Sequence, residues 1–308
     1  MTGVNSKAAG RLGWVKIMTA LANENVQEDR EFSMDDAAFK TISEAIYKQA
    51  GIVIDETKRE LVYARVVRRL RALSLPDFES YAQLLQGVNA VKESKDFINA
   101  LTTNHTRFFR EPHHFEFLQN TIIPYWKKRA KLTGNKCIRV WSSASSSGEE
   151  PYTLAMVLAD AFDRAEGWDW KILATDIDTN ILNKAKQGRY DDLGLEEIPP
   201  GYKARYLKQN DDKSFIVNSE IKNHITFNRL NLHSAWPIKT EFDVIFCRNV
   251  FIYFDPPSKK SLVDRFAKTL SNDGWLFLGH SESILGDRSP FKLVGRTIYE
   301  PRYVERTI

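Results

Sequence analysis

Apolar residues recur along this chain with two periods, and the change from one to the other near residue 137 divides it. Between Ser33 and about residue 103 the spacing is helical. Ser33 stands as an N-cap before Met34, Asp35 and Asp36, and Phe39, Ile42, Ile46 and Tyr47 follow on one face. Phe78, Tyr81, Leu84 and Leu85, then Phe97, Ile98 and Leu101, continue the pattern, so residues 33–103 are expected to form a small all-helical domain. From Ile138 onward, short β-branched and aromatic runs alternate with helical stretches. Strands are expected at 138–141, 171–175, 225–229, 242–247 and 274–279, the fourth with the near-continuous apolar run of a strand covered on both faces. Helices are expected from about Pro151, from Thr179 and over 262–270, and 291–301 reads as a closing hairpin with Gly295 in its turn. Such alternation is that of a doubly wound α/β domain. Residues 191–224 exceed a simple crossover and are expected to hold a small antiparallel insert.

These patterns set four segments. Residues 1–32 mix Gly, Asn, Ser, Lys and Glu around one weakly apolar piece, Trp14 to Leu21, and are expected to be a mobile extension with a short helix there. The helical domain spans 33–103, a linker and first helix of the next domain span 104–136, and the α/β domain spans 137–308. A hydrophobic fraction of 43% is ample for a core, and a net charge of +4 does not by itself imply nucleic acid. Cys137 and Cys247 lack metal-ligand spacing and read as reduced core thiols of a cytoplasmic protein. No apolar run approaches the ~18 residues of a membrane span, so direct membrane insertion is not expected.

Charge does change the picture locally. On a helical wheel of 58–73, Tyr63, Val66, Val67, Leu70 and Leu73 share one face, and Lys58, Arg65, Arg68 and Arg69 share the opposite one. A solvated helix face usually mixes signs; a face of one sign also suits an acidic surface.

Candidate chemistry gathers at strand ends. After the strand at Ile138, the residues Ser142 to Gly148 are all small, and the turn carries Glu149 and Glu150 before the helix expected from about Pro151. Small side chains let a ligand approach the backbone, and the two carboxylates would repel a phosphate. The competing reading is a tight turn whose glutamates complement the helix dipole. Asp176 ends the second strand, 28 residues beyond Gly148, close to the spacing at which a carboxylate meets a ribose in nucleoside-binding α/β folds. Its competing reading is a cap on the helix from Thr179. The three-glycine dinucleotide fingerprint is missing, and the whole arrangement is that of S-adenosylmethionine-dependent methyltransferases. His113 and His114 tempt a metal reading, but neighbours on a helix point about 100° apart. No metal is expected.

Six separated motifs then make a specific resemblance. Asn104-His105-Thr106 with Phe108-Phe109-Arg110-Glu111, Ser143 to Tyr152, Thr175 to Asp178, Cys247 to Val250, Ile252-Tyr253-Phe254 and Gly279 to Glu282 resemble, in order, the chemoreceptor glutamate methyltransferases of the CheR family. The likeness runs from about Phe32 to Pro301, with Ser145-Ser146-Ser147 a mild departure in which small residues are kept. It implies a class I S-adenosylmethionine-dependent methyltransferase fold and transfer of methyl groups to glutamate side chains on cytoplasmic receptor helices. It also implies cofactor contacts at Asn104, Thr106, Arg110, Glu149, Asp176, Asn231, Leu232, Arg248 and Asn249, with Arg110 and Tyr253 facing the reacting carboxylate. Lys58, Arg65, Arg68 and Arg69 would dock the receptor, and in some members the insert binds a peptide at a receptor's carboxyl end. A monomer is expected. The rivals are a nucleic-acid methyltransferase, which Asp255-Pro256-Pro257 superficially echoes, and a non-catalytic S-adenosylmethionine sensor.

Overall fold

The computed structural model describes residues 30–284, 286 and 289–304. The expected helix at 14–21 lies outside them. Residues up to Ala45 together with Asp55–Glu93 form one compact unit, and Ile46–Ile54 together with Ser94 onward form a second.

Among its described residues the first unit holds the amino-terminal part of α1 (Asp36–Ala50), α2 (Arg59–Leu73), α3 (Phe78–Gln86) and the start of the helix at Ala90–Leu101. The cap of α1 is Asp35 rather than Ser33, since its carboxylate accepts from Ala38 N at 2.7 Å. Met34, Ala38, Phe39 and Ile42 are buried from this stretch. On α2 the buried set is Val62, Val66, Val67 and Leu70. Tyr63, expected in the core, is half-buried and stacks on Phe78 with centroids 5.2 Å apart. The helix stops at Ser74, whose φ of 54° is left-handed.

The second unit is a seven-stranded sheet. In chain order its domain contains β1 (Cys137–Ser142), β2 (Asp169–Asp176), β3 (Arg189–Tyr190), β4 (Leu207–Gln209), β5 (Phe215–Val217), β6 (Ile225–Arg229), β7 (Phe242–Cys247), β8 (Leu270–Leu278), β9 (Phe291–Gly295) and β10 (Ile298–Pro301). The sheet order is β6-β2-β1-β7-β8-β10-β9, and the first five run parallel. The carboxyl ends of β1, β2, β7 and β8 therefore open on one edge, where a doubly wound sheet binds ligands. β10 returns antiparallel to β8 and pairs with β9 as the expected hairpin. Its turn falls on Arg296 and Thr297, with Thr297 at φ 55°, so Gly295 closes the strand instead of making the turn. β3, β5 and β4 form the antiparallel insert, which begins at Arg189, two residues earlier than the spacing suggested.

Helix α4 (Ala90–Leu101) leads into α5 (Pro112–Phe117), and α6 (Ile123–Thr133) precedes the sheet. α7 (Glu149–Ala161) is buried continuously from Glu150 to Leu158, which marks it as a helix inside the domain and not on its surface. α8 (Thr179–Gln187) follows β2; α9 (Pro200–Tyr206) and α10 (Ser219–Lys222) belong to the stretch around the insert; α11 (Pro256–Thr269) joins β7 to β8. Aromatic packing reinforces the sheet: Phe246 of β7 stacks on its neighbour Phe277 of β8 at 4.3 Å, and Trp141 of β1 meets Trp236, outside the strands, edge-on at 4.9 Å. Phe108 is fully buried and meets Tyr190 at 4.9 Å. Cys247 is buried, whereas Cys137 is only half-buried. Among the described residues no helix is long and apolar enough to cross a membrane.

Candidate functional site

A cavity of about 280 Å³ opens at the carboxyl ends of β1, β2 and β7. Asn104, Thr106, Arg110, Asp176, Asn231, Leu232, Arg248, Asn249 and Tyr253 all line it. Of the residues that the resemblance placed at cofactor or substrate, only Glu149 does not.

The turn after β1 explains that exception. Gly148 has φ 102°, and a Cβ there would stand 2.9 Å from the Tyr190 hydroxyl, so glycine is required. Beyond it, Glu149 takes a hydrogen bond of 2.6 Å from the Ser147 hydroxyl and stays out of the cavity lining. The next carboxylate, Glu150, lines the cavity. The two glutamates differ by one position along a helix, which is a turn of about 100°. Glu150 accepts from the Ser142 hydroxyl at 2.8 Å and from Arg248 Nη1 at 3.1 Å. Burial raises its carboxyl and the Arg248 guanidinium opposes that rise.

Arg248 is itself only 3% exposed. Its Nη2 donates to the Arg110 carbonyl and stands 3.4 Å from Glu111 Oε2. Burial would raise the Glu111 carboxyl, but Arg248 and the donors of His280 hold it down to about 2. Arg248 thus ties α7 to the backbone of Arg110. Glu111, His113 and His114 bring ligand-type atoms within 4.8 Å of one another, and the two rings lie 4.2 Å apart despite their adjacent positions. The cation beside that carboxylate is the Arg248 guanidinium. His114 is kept neutral, first by burial and then by Arg248, and its Nε2 lies 3.1 Å from the Arg296 carbonyl.

Asp176 and Asp178 divide two tasks. Asp178, not Asp176, caps α8, accepting from Asn180 N at 2.8 Å and Ile181 N at 3.2 Å. Its other oxygen accepts from Thr102 at 2.9 Å and Asn104 at 2.7 Å, which anchors the segment before Arg110. Asp176 accepts from Ser146 N at 2.8 Å and Asp178 N at 3.0 Å. Burial pushes its carboxyl up to about 6. A carboxylate has about four acceptor sites, so two remain for hydroxyls brought into the cavity.

The remaining wall comes from the ends of β6 and β7. Asn231 donates to the Gln49 carbonyl at 2.7 Å, and Leu232 is buried. Tyr253 lies on a single 3-10 turn, Phe251–Tyr253, whose last carbonyl accepts from Val53 N at 2.9 Å. Arg110 Nη1 donates to the His105 carbonyl at 3.0 Å. Backbone strain clusters here: Phe109, Glu111, Ser146 and Asn249 all have φ between 48° and 60°. Left-handed residues other than glycine persist only where surroundings over-determine them, typically at ligand sites. Asp255 caps α11 through Ser258 N at 2.9 Å, so Asp255-Pro256-Pro257 is a helix start and not a base-binding loop.

An adenosyl ligand fits these walls. Asp176 offers acceptors for vicinal hydroxyls, Arg110 a cation, and Ile177, Leu230 and Leu232 an apolar surface. Sequence reasoning gave no role to Glu111 or Asp178, which hold residues of the cavity wall without lining it. For Asp178 a signal was present, since an acid immediately before a helix start is a cap.

Comparison with known proteins agrees. The family model of the CheR methyltransferase SAM-binding domain matches residues 104–300, and that of the CheR methyltransferase all-alpha domain matches residues 37–102. A probable chemotaxis protein methyltransferase of Rhizobium etli is 42% identical over 258 residues, covering 82% of this chain and 96% of its own length. The chemotaxis protein methyltransferase of Escherichia coli is 42% identical over 278 residues, covering 89% of this chain and 94% of its own.

Proposed function

The chain belongs to the CheR family of S-adenosylmethionine-dependent methyltransferases, and from that premise we propose that it esterifies glutamate side chains of chemotaxis receptors. The observation that carries this reading is the meeting of Arg110 and Tyr253 with buried Asp176 in one cavity. When bound, S-adenosylmethionine supplies an electrophilic methyl group on a sulfonium. A glutamate with an ordinary pKa near ~4.3 is already ionised at neutral pH, so its carboxylate is the nucleophile and no side chain has to move a proton. Arg110 can hold one carboxylate oxygen by a charge-assisted hydrogen bond and leave the other facing the methyl group. Tyr253, on the turn beyond β7, orients the same group. Orientation and exclusion of water are the enzyme's main contributions.

The receptor partner accounts for the basic α2. Methylation helices rich in glutamate are acidic, and Arg68 on that helix is exposed. Residues 33–103 are assigned to docking and 137–308 to catalysis. The protein acts in the cytoplasm, where the receptor helices lie.

Transfer of tritiated methyl groups to receptor cytoplasmic fragments, with RNA as the control acceptor, tests the proposal. Label should appear on receptor and be released as methanol by mild base, the signature of a methyl ester. Tyr253→Phe should lower turnover while S-adenosylhomocysteine binds as before. Label on RNA alone would overturn the reading.

A further inference from the structure

Glu282 is a buried carboxylate that the reaction as described leaves without a task. It lies just beyond β8 and is 4% exposed. One of its oxygens, Oε2, accepts two backbone N–H groups: that of Gly279 at 2.6 Å and that of Asn249 at 2.8 Å. Its own N–H donates to the Gly279 carbonyl at 2.9 Å. β7 and β8 are parallel neighbours whose last aligned pair is Cys247 with Leu278. Gly279 and Asn249 are therefore where that ladder has run out, and a side-chain oxygen joins the two strands in its place. Asn249 sits there at φ 59°, a conformation that costs an asparagine on the order of 1 kcal/mol and needs outside support. Gly279 belongs to the same device. A Cβ at that position would stand 2.5 Å from Asn249 Nδ2 and 2.8 Å from both Asn249 N and Glu282 Oε2.

We propose that Glu282 is a positioning residue for methyl transfer: its carboxylate lashes the ends of β7 and β8 together and so sets Asn249 and the Tyr253 turn in the cavity wall. The inference rests on the reading of that cavity as the cofactor and receptor-glutamate site. It does not make Glu282 a catalytic residue, because Asn249 and Tyr253 line the cavity and Glu282 does not. The charge itself is secondary to the geometry. Any acceptor oxygen in that place, held to two N–H groups, should do the same work.

Glu282→Ala, Glu282→Gln and Gly279→Ala separate this from a general loss of stability. Binding of S-adenosylhomocysteine is measured by calorimetry well below each variant's unfolding midpoint, alongside methyl transfer to receptor fragments. Glu282→Ala should weaken binding about tenfold, the loss expected for two buried N–H groups left without an acceptor. Glutamine keeps a carbonyl oxygen in reach, so Glu282→Gln should return to within about threefold of wild type. Gly279→Ala should resemble Glu282→Ala, since it displaces Asn249 directly. If Glu282→Ala does not fold, the other two variants decide. Wild-type affinity in Gly279→Ala, or Glu282→Gln binding as weakly as Glu282→Ala, would overturn the proposal. Affinities that follow the expected order in a protein that never methylates receptor would overturn the receptor reading and leave the Glu282 role standing.

Discussion

Around the cavity, Arg248 is held between Glu150, Glu111 and the Arg110 carbonyl, whereas Arg68 on α2 is exposed. Both regions carry arginine charge, yet they answer to different physics. Taking Arg248 out of water is offset only because two carboxylates and a carbonyl receive it, and any one loss leaves a charge stranded in a poor dielectric. Charges on a helix surface interact through water and are screened over about 8–10 Å at ordinary ionic strength. The first kind of charge fixes geometry. The second is available to a partner and contributes little to the fold.

The sharpest way to break this contrast is to neutralise Arg248. Arg248→Met should cost about 3–5 kcal/mol of folding stability, because Glu150 and Glu111 both keep their burial and lose their cation. Urea unfolding of the variant gives the number directly. Adding Glu150→Gln should recover part of it. A loss below about 1 kcal/mol would place Arg248 with ordinary surface charges.

Arg69 shows that sequence position alone does not sort the two kinds. The wheel grouped it with Arg65 and Arg68, but it forms a two-pronged pair with Glu93, both bonds 2.7 Å, and Glu93 also accepts from Tyr81 at 2.8 Å. The Glu93 side chain is only 6% exposed. Arg69→Glu should therefore lower stability by about 3 kcal/mol, the range for breaking a largely buried pair, and should be visible as a lower thermal midpoint.

How far the sequence carried depends on the range over which each feature is decided. β6 and β7 were read to the residue because an apolar run with flanking polar residues is a local signal. Alternation indicated a doubly wound domain, whereas the order of the seven strands is visible only in the structure. The Arg69–Glu93 pair spans 24 residues and the Arg248–Glu150 pair spans 98, and no periodicity reports them. Which of Glu149 and Glu150 enters the cavity lining is equally invisible in the sequence. Adjacent helix positions differ only in direction, and direction is set by what packs around α7. The rings of His113 and His114 come together in the first turn of α5, where Glu111 is left-handed, and the 100° spacing of a regular helix does not report that.

Asp176 stands between the two kinds of charge, buried but with neither a lysine nor an arginine among its hydrogen-bond donors. Asp176→Ala should weaken S-adenosylhomocysteine binding about 10- to 100-fold, the loss of a charged acceptor for hydroxyl donors. Burial pushes this carboxyl from 3.8 up to about 6. The folded protein then binds the proton more tightly than the unfolded chain does, so this group favours folding below the ordinary range and loses that contribution as pH rises through about 6. Ligand affinity runs the other way. Hydroxyls need the ionised acceptor, so calorimetric affinity should tighten from about pH 5 to pH 7, and Asp176→Asn should flatten the curve. An unchanged slope in Asp176→Asn would remove the carboxylate from the ligand.

The smallest effect belongs to the docking face. Arg65→Glu with Arg68→Glu should raise the Michaelis constant for receptor by about 2- to 10-fold, since each exposed pair contributes roughly 0.2–1 kcal/mol and reversal also adds repulsion. The thermal midpoint should stay near that of wild type, because Val62, Val66, Val67 and Leu70 on the buried face are untouched. Turnover at saturating receptor should also hold, as should S-adenosylhomocysteine affinity, because a contact that is equal in ground and transition states changes only the Michaelis constant. Salt supplies the decisive control. Wild-type activity at low receptor should fall as ionic strength rises, and the double variant should fall less, until the two curves converge. Arg69→Glu should show a different signature, with a lowered midpoint. If the double variant instead loses stability and keeps its Michaelis constant, α2 is a structural helix, and the receptor is read by another surface.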